Sequence, residues 1–180
     1  AADRRADFHR PALATADEAG HAHARLVVLR AFDPESLTLD FHTDKRSAKI
    51  ADLTINPHAT LLFYDHGWKV QVRAEGPVTI FGQDAVARDV WAGLSDGAKE
   101  AYGADPAPGT AIARPQSGLE EGAGRDDEAG FAAFQVCRLR ITALDYLHLA
   151  ATGHRRAQFL FDIDSVEKPA TPGSATWLSP

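Results

Sequence analysis

The feature that most constrains the fold is a run of alternating apolar and polar side chains from residue 68 to residue 75. Its apolar members are Trp68, Val70, Val72 and Ala74, and its polar members are Lys69, Gln71, Arg73 and Glu75. A period of two places the two sets on opposite faces of a β-strand. The pattern therefore predicts a strand with one face against a core and the other face against solvent or a ligand.

Apolar stretches of similar length predict further strands at residues 12–16, 24–31, 37–41, 59–64, 78–81, 134–141 and 157–163. Helices are predicted over residues 45–55, capped by Thr43 or Asp44 and ended by Asn56, and over residues 83–102 with a break near Leu94. About six to eight strands against two or three helices indicate a mainly β fold, a closed or split β-barrel with peripheral helices.

Length and composition predict one domain over residues 1–180, because 44% hydrophobic residues suffice for a single large core. Residues 103–130 are rich in Gly, Pro, Ala and acidic side chains without a sustained period, so a mobile loop is predicted there. The net charge of -6 argues against a nucleic-acid partner. No run of 18 apolar residues and no apolar leader are present, which predicts a cytoplasmic protein without a membrane partner.

Two features that often mark active sites have structural interpretations here. Cys137 is the single cysteine and lies in an apolar strand-like run, so it is expected to be a buried small hydrophobe and not a catalytic thiol. His9, His21 and His23 have no acidic or cysteine partner at metal-binding spacing, so they are interpreted as loop histidines and no metal site is predicted.

Cationic and hydroxyl side chains recur in three blocks between Arg25 and Gly76, the last being Gln71 to Gly76, against the acidic background of the chain. Strict alternation would place Arg25 and Arg30 on opposite faces of their strand, so both reach one ligand only if the strand bulges or twists, or if Arg30 acts from its end. Arg46, Ser47 and Lys49 stand at the start of the predicted helix, where free backbone N–H groups bind phosphate. The cluster predicts a site for a phosphate-bearing cofactor.

The motifs occur in a specific order: Arg25-x-Val27-x-Leu29-Arg30, Thr43-Asp44-x-Arg46-Ser47-x-Lys49, Asn56-Pro57 and Gln71-Val72-Arg73-x-Glu75-Gly76. This order resembles the pyridoxamine 5′-phosphate oxidase-related family of FMN-binding split barrels. The resemblance implies an FMN-binding split barrel that forms a homodimer, with FMN in the groove between the subunits. It also implies a small-molecule substrate.

Carried over position by position, the resemblance implies FMN contacts from Arg25, Arg30, His42, Thr43, Ser47, Lys49, Gln71, Gln116, Ser117, Tyr146 and Arg156. Ala48 stands where the family has a second basic residue, and Arg46 is expected to compensate for it. Gln116 and Ser117 would reach FMN from a later loop of the partner subunit. Tyr146 stands where the family's oxidases carry tryptophan.

Two departures from the family concern the substrate. The oxidases' Tyr-x-x-x-Arg-Pro-x-x-Ser run, which grips the substrate phosphate, reads Val90-Trp91-Ala92-Gly93-Leu94-Ser95 here, and Trp91 is expected in the core. The late Arg-Leu-His reads Thr152-Gly153-His154, which leaves His154 as the candidate for proton transfer, with a solvated side chain as the alternative.

Several functions remain open from the sequence. The first is an FMN-dependent oxidoreductase acting on an unidentified small molecule, with a nicotinamide as one possible reductant. The alternatives are an FMN-binding or carrier module without turnover, a true pyridoxamine 5′-phosphate oxidase, and an interaction protein that has lost the cofactor. We call residues 42–49 the phosphate segment, after the family segment that holds the FMN phosphate. Because His42, Thr43, Ser47 and Lys49 are retained in it, loss of the cofactor is the least favoured alternative.

Overall fold

The computed structural model describes residues 5–115, 127–162 and 171–180. Its strands are β1 (Ala12–Ala16), β2 (Ala22–Leu26), β3 (Leu29–Asp33), β4 (Thr38–Asp44), β5 (His58–Asp65), β6 (Val70–Phe81), β7 (Phe134–Arg140), β8 (Ala143–His148), β9 (Arg155–Asp162) and β10 (Thr171–Leu178). Its helices are a 3₁₀ turn (Asp7–His9), α1 (Ala48–Ile55), α2 (Ala85–Ala92), α3 (Asp96–Lys99) and α4 (Asp127–Ala133). The predicted mainly β class is confirmed.

All strand pairs are antiparallel, and the long strand β6 belongs to two layers. One layer has the order β10-β9-β8-β6-β5-β1-β2, and the other joins β3, β4 and β7 to the end of β6. Residues 70–75 of β6 pair with β8, whereas residues 78–81 pair with β7. The sheet therefore splits along β6 and does not close into a complete barrel.

Gly76 stands at the point where β6 changes partners. A Cβ atom at this position would overlap the carbonyl oxygen of Arg140, the last residue of β7. Thr142 donates its backbone N–H to the carbonyl oxygen of Glu75 at 2.8 Å, which holds the start of the next strand against the same bend. Only glycine permits this backbone approach, so the bend expected from Gly76-Pro77 has a steric reason.

Two apolar clusters fill the fold. The larger lies between the strand layers, and its fully buried side chains include Leu13, Phe41, Leu53, Leu61 and Leu139. Cys137 belongs to it with no exposed surface, and burial raises the pKa of its thiol to about 12. The expectation of a buried structural cysteine is therefore confirmed.

The second cluster packs the helices outside the sheet. Trp91 from α2, Tyr102 and Phe131 surround Phe134 on β7, with ring centroids of Trp91 and Phe134 5.1 Å apart. Trp91 is 5% exposed, as its core assignment predicts. The helices are thus peripheral to the strands, and within the described residues none is long and apolar enough to cross a membrane.

The prediction of one strand over residues 24–31 is wrong, because the chain forms β2 and β3 with a break at Val27 and Val28. The backbone N–H of Val27 still donates to the carbonyl oxygen of Pro11 at 3.0 Å, next to the β1–β2 ladder. Leu29 already pairs with Phe41 on β4. The chain therefore passes from one layer to the other within two residues.

The start of the first helix also differs from the prediction. Ser47, and not Thr43 or Asp44, is the N-cap residue of α1, because the Asp44 carboxylate accepts hydrogen bonds from Arg46 instead. Asn56 ends the helix as predicted, with its backbone N–H donating to the carbonyl oxygen of Asp52 at 2.8 Å.

Two further expectations need correction, and one strand was not predicted. The alternation predicts Trp68 on the core face of its strand, but β6 begins at Val70 and Trp68 is 79% exposed in the preceding turn. The loop predicted over residues 103–130 is irregular over 103–115, but its last residues belong to α4. The proline-containing tail forms β10 on the edge of the sheet, a strand that the apolar pattern did not predict.

Candidate functional site

A cavity of about 280 Å³ opens where β2, β4 and α1 meet. We call it the basic pocket, and its lining residues are Arg10, Arg25, Leu26, Val27, Val28, His42 and Lys49. The break between β2 and β3 forms one wall, since Val27 and Val28 turn there from one strand layer to the other. Cationic side chains thereby converge on one space from three parts of the chain.

Arg25 is held in the wall of the basic pocket by two polar neighbours. Its Nη1 donates to the Thr15 hydroxyl at 2.6 Å, and its Nη2 lies 3.4 Å from Oδ2 of Asp52 on α1. Thr15 donates to the same Asp52 oxygen at 2.6 Å, and His23 lies 3.1 Å from it. The Thr15 hydrogen bond is the main cause of the lowered pKa of Asp52. Arg25 is therefore oriented by the chain and partly neutralised.

Lys49 enters the basic pocket from the first turn of α1. Its Nζ donates to the Thr43 hydroxyl at 2.9 Å, and that hydroxyl lies 3.1 Å from the hydroxyl of Ser47. Burial lowers the pKa of the Lys49 ammonium, and the charge of Arg25 adds to the effect. Throughout the described ranges, no carboxylate lies within ion-pair distance of Lys49. An anion bound here would relieve both effects.

His42 provides a neutral group on the pocket wall. Burial, with a further contribution from Arg30, lowers the pKa of its imidazole to about 4, so the ring is uncharged at neutral pH. Nδ1 is buried and has no hydrogen-bond partner, while the ring packs edge-on against Phe134 with centroids 5.1 Å apart. A ligand atom could satisfy this nitrogen.

Arg30 and Arg46 lie beside the basic pocket and do not line it. The charge of Arg30 acts on His42 and on the hydroxyl of Tyr102, whose pKa is raised by burial. Arg46 clamps the Asp44 carboxylate with bonds of 2.9 and 2.7 Å, and it also donates to the carbonyl oxygen of Ala104 at 2.8 Å. The positive charge of Arg46 is therefore balanced within the chain.

A second group of sequence-predicted residues lies on β6, β8 and β9. Gln71 is opposite Leu147, which is opposite Arg156, and Tyr146 is in register with Val72. None of Gln71, Tyr146 and Arg156 lines the basic pocket. The single chain therefore separates the predicted cofactor residues into two groups.

The arginine of this second group is paired with a carboxylate. Nε and Nη2 of Arg156 lie 3.2 and 2.8 Å from the two oxygens of Asp145, which is 4% exposed. Nη2 of Arg73 reaches the same carboxylate at 3.3 Å. We call Arg73, Asp145 and Arg156 the Asp145 patch. The Asp145 hydrogen bonds raise the pKa of the Arg156 guanidinium, so its charge is already engaged.

The remaining predicted residues are less informative. His154 is exposed in the turn before β9. Gln116 and Ser117 fall outside the described residues. Within the described ranges, no group of three or more His, Cys, Asp or Glu side chains is arranged to hold a metal ion.

Sequence reasoning missed Arg10 as a member of the basic pocket. The available signal was the hairpin between β1 and β2, in which Ala12 pairs with Leu26. Extending this register by two residues places Arg10 next to the chain break at Val27 and Val28. The register of the hairpin could therefore have placed Arg10 beside Val28. Using it required knowing that β2 ends at Leu26, which the sequence did not show.

The chemistry of the lining fits a phosphate ester. Lys49 and Arg25 are charge-assisted donors to phosphate oxygens. Thr43 and Ser47 bring hydroxyls to the same side, and the first turn of α1 has no side-chain cap on its backbone N–H groups. Basic groups, hydroxyls and a helix start are together chemically suited to bind an anion.

Comparison with known proteins links this site to one family. Residues 1–82 match the family described as "Pyridoxamine 5'-phosphate oxidase, FMN-binding domain". Pyridoxine/pyridoxamine 5'-phosphate oxidases of Bordetella avium (strain 197N) and Polynucleobacter asymbioticus are each 46% identical over 66 residues, which cover 37% of this chain. The matched segment spans only 30% of the length of these relatives.

Solved structures extend the similarity beyond the matched segment. A pyridoxamine 5'-phosphate oxidase-related, FMN binding protein of Nostoc punctiforme PCC 73102 has a TM-score of 0.78 and 25% identity, over 96% of this chain and 89% of that chain. PhzG of Burkholderia lata 383, solved with tetrahydrophenazine-1-carboxylic acid, has a TM-score of 0.68 and 18% identity, over 97% and 83% of the two chains. The second likeness concerns the fold alone. The resemblance predicted from the motif order is confirmed.

Proposed function

We propose, from the match of residues 1–82 to the FMN-binding domain of the pyridoxamine 5′-phosphate oxidase family, that this protein binds FMN and acts as an oxidoreductase on a small molecule. The observation that carries the proposal is the basic pocket within the matched segment. There Lys49 has no carboxylate partner among the described residues, and the neighbouring wall presents Arg25. A cationic site of this kind suits the terminal phosphate of FMN.

The residues of the pocket have distinct proposed roles. Lys49 and Arg25 neutralise the phosphate, and the network of Thr15 and Asp52 keeps the Arg25 guanidinium oriented. Thr43 and Ser47 offer hydroxyls beside the Lys49 ammonium. These groups are in place before a ligand arrives, which lowers the entropic cost of binding.

The other predicted contacts are proposed for the flavin ring. When bound, FMN supplies the redox chemistry through its isoalloxazine ring. Gln71 would donate a hydrogen bond to the ring, and Tyr146 and Arg156 would border it. Because these side chains do not line the basic pocket of their own chain, we propose a homodimer in which each FMN also contacts the partner subunit. Gln116 and Ser117 are proposed to reach it from that subunit.

Arg30 and His42 are proposed at the border between phosphate and ring. His42 is neutral and has an unpartnered Nδ1, so it suits a hydrogen bond to an uncharged part of the ligand. Arg30 is exposed next to it and adds positive potential. Arg46 has a supporting role in this proposal, since it ties Asp44 to the carbonyl oxygen of Ala104.

The substrate is proposed to differ from pyridoxamine 5′-phosphate. In place of the family's phosphate-gripping run, this chain has Val90, Trp91 and Leu94, which pack in the second apolar cluster. They offer no cation for a second phosphate. His154, exposed in its turn, is retained as the proposed proton-transfer residue.

The direct test is the visible absorption spectrum of the purified protein with added FMN, before and after dialysis. Retained flavin bands that are bleached by NADH or NADPH and recover with an electron-accepting small molecule would support an oxidoreductase. Retained bands that neither nicotinamide reduces would favour an FMN carrier without turnover. Loss of all FMN on dialysis would contradict the cofactor assignment.

A separate assay addresses the substrate. The FMN-loaded protein is expected to form no pyridoxal 5′-phosphate from pyridoxamine 5′-phosphate above the rate of free FMN. Formation at the rate of an ordinary oxidase would contradict this part of the proposal while leaving the FMN site intact.

A further inference from the structure

Arg10 is the cation of the basic pocket that neither the motifs nor the family resemblance indicated. It is exposed, immediately precedes the buried Pro11, and lines the same cavity as Arg25 and Lys49. It lies just before β1, far in sequence from the phosphate segment that begins at His42. Its presence in the pocket therefore depends on the path of the amino-terminal segment.

The segment that carries Arg10 is fixed on both sides. On its amino-terminal side, Phe8 packs against Phe63 of β5 with ring centroids 5.3 Å apart. Asp7 accepts hydrogen bonds from the backbone N–H of His66 at 2.7 Å and lies 3.0 Å from its Nδ1. These contacts attach the 3₁₀ turn to the β5 side of the sheet.

On the other side of Arg10, the carbonyl oxygen of Pro11 accepts the Val27 N–H at 3.0 Å, next to the pocket wall. Ala12 then enters the β1 ladder. With both flanks bound, the backbone of Arg10 has little freedom, and only its side chain must be ordered when an anion binds. This limits the entropic cost of recruiting the guanidinium.

The charge surroundings distinguish Arg10 from Arg25, Arg46 and Arg156. Arg25 faces Asp52, Arg46 is clamped by Asp44, and Arg156 is paired with Asp145. In the part of the chain that the structure describes, Arg10 has no carboxylate within ion-pair distance. Its positive charge is therefore available to a ligand.

We infer that Arg10 is a phosphate-binding residue of the basic pocket, placed there by the anchored amino-terminal segment, and that it increases the preference for a ligand with a terminal phosphate over its uncharged analogue. This inference rests on the proposed function, since FMN is the phosphate-bearing ligand. It adds a third cation to Lys49 and Arg25. It also assigns the contacts of Phe8 a role in binding as well as in packing.

The experiment compares the affinities of FMN and riboflavin, measured by flavin fluorescence, for four proteins. These are the unmodified chain, Arg10→Gln, Phe8→Ala and a control, Lys69→Gln, which removes an exposed cation that does not line the pocket. Arg10→Gln is expected to weaken FMN binding about two- to fivefold at low salt, the usual range for an exposed charge pair, with riboflavin unchanged. The loss should shrink as salt is added.

The Phe8→Ala variant tests the position of the Arg10 side chain without removing its charge. It keeps Arg10 but releases the segment from Phe63, so it should reproduce part of the FMN loss while riboflavin binding stays the same. A weakened riboflavin affinity in either variant would indicate general damage to the site and would overturn the phosphate-specific role.

The outcomes also separate this inference from the function on which it rests. If Arg10→Gln binds FMN as tightly as Lys69→Gln does, the role of Arg10 is wrong and the proposed FMN site stands. If the unmodified chain binds neither FMN nor riboflavin, the proposed function itself fails and the role of Arg10 fails with it.

Discussion

The basic pocket and the Asp145 patch both contain cationic side chains but differ in how these charges are balanced. In the pocket, Lys49 donates to a hydroxyl and has no carboxylate partner among the described residues. In the patch, Asp145 is nearly buried and binds both Arg73 and Arg156. The first arrangement has positive charge to offer a ligand, whereas in the second each arginine is paired with a carboxylate, since Arg73 also lies 3.3 Å from Glu75.

The two regions also differ in their similarity to other proteins, although Arg73 of the Asp145 patch lies within the family match. The family match covers residues 1–82, which include the whole basic pocket, whereas β7 to β10 lie outside it. Tertiary similarity to the Nostoc protein nevertheless covers 96% of the chain. The proposed phosphate site therefore lies where sequence similarity and cationic geometry coincide, whereas Asp145 and Arg156 lie where the similarity is one of fold.

The largest effect is expected at Gly76, where the two strand layers separate along β6. Gly76→Ala would force a Cβ against the Arg140 carbonyl oxygen, and because the nearest atoms all belong to the backbone of Arg140 and Thr142, no flexible side chain can move aside. We expect a loss of about 4 kcal/mol or more in the free energy of unfolding, measured by urea denaturation. Gly97→Ala is the control, since a Cβ there meets nothing within 4 Å. Equal stability of the two variants would contradict this account of the split sheet.

The next largest effect is expected at Lys49 and tests the phosphate role of the basic pocket. Lys49→Gln removes a partly buried cation, so FMN affinity should fall by about 10- to 100-fold while riboflavin affinity changes little. Lys49→Arg should keep most of the FMN affinity, because it retains the charge. A parallel loss of FMN and riboflavin affinity in Lys49→Gln would show that the side chain supports the fold and not the phosphate.

A smaller effect is expected from the titration of His42. The folded-state pKa of the His42 imidazole, about 4, lies below its ordinary value of 6.5, so the unfolded chain binds a proton first as the pH falls. Stability should therefore decline between pH 6.5 and pH 4, by about 1–2 kcal/mol after allowance for partial exposure, and level off below that window.

His42→Phe keeps the aromatic contact with Phe134 and cannot titrate. It should flatten this part of the pH–stability curve, measured by thermal unfolding at a series of pH values. His58→Asn, at an exposed position on β5, serves as the control and should keep the slope. An unchanged slope in His42→Phe would assign the decline to another group.

The smallest effect on phosphate preference is expected at Arg156. Because Asp145 already balances its charge, Arg156→Gln should change the ratio of FMN to riboflavin affinity by less than about twofold, within the range for exposed charges. The affinities for FMN and for riboflavin are expected to change by the same factor, since Arg156 is proposed to border the flavin ring that both ligands share. A loss confined to FMN would place the phosphate at the Asp145 patch and reverse the comparison.

Much of the fold followed from local pattern. The strands near residues 12–16, 59–64 and 134–141 and the helix end at Asn56 were predicted, because each depends on its own alternation or on one residue type. The break at Val27 was not, because it depends on hydrogen bonds to Pro11 and on the pairing of β3 with β4. Strand β10 was missed because its proline and polar side chains hide an edge strand that needs only β9 as a partner.

For the candidate site, the sequence predicted some of the lining residues but not how their charges are paired. The family resemblance selected Arg25, His42 and Lys49 as predicted cofactor contacts, and the fold brings these three residues to one cavity. The resemblance could not show that Arg156 faces a carboxylate, since a cross-strand partner depends on the register of β8 and β9. Nor could it show Arg10, whose role depends on where the hairpin places the preceding segment. The sequence shows which residues carry a charge. Which of these charges are paired with a carboxylate depends on the fold.

The most direct test of the account is a crystal structure of the protein with FMN. The phosphate is predicted in the basic pocket, within hydrogen-bond distance of Lys49 Nζ and the Arg25 guanidinium, with the Asp145 ion pairs intact. A phosphate bound at Arg73 and Arg156, with the basic pocket free of ligand, would contradict the central claim that uncompensated charge in the amino-terminal half defines the cofactor site.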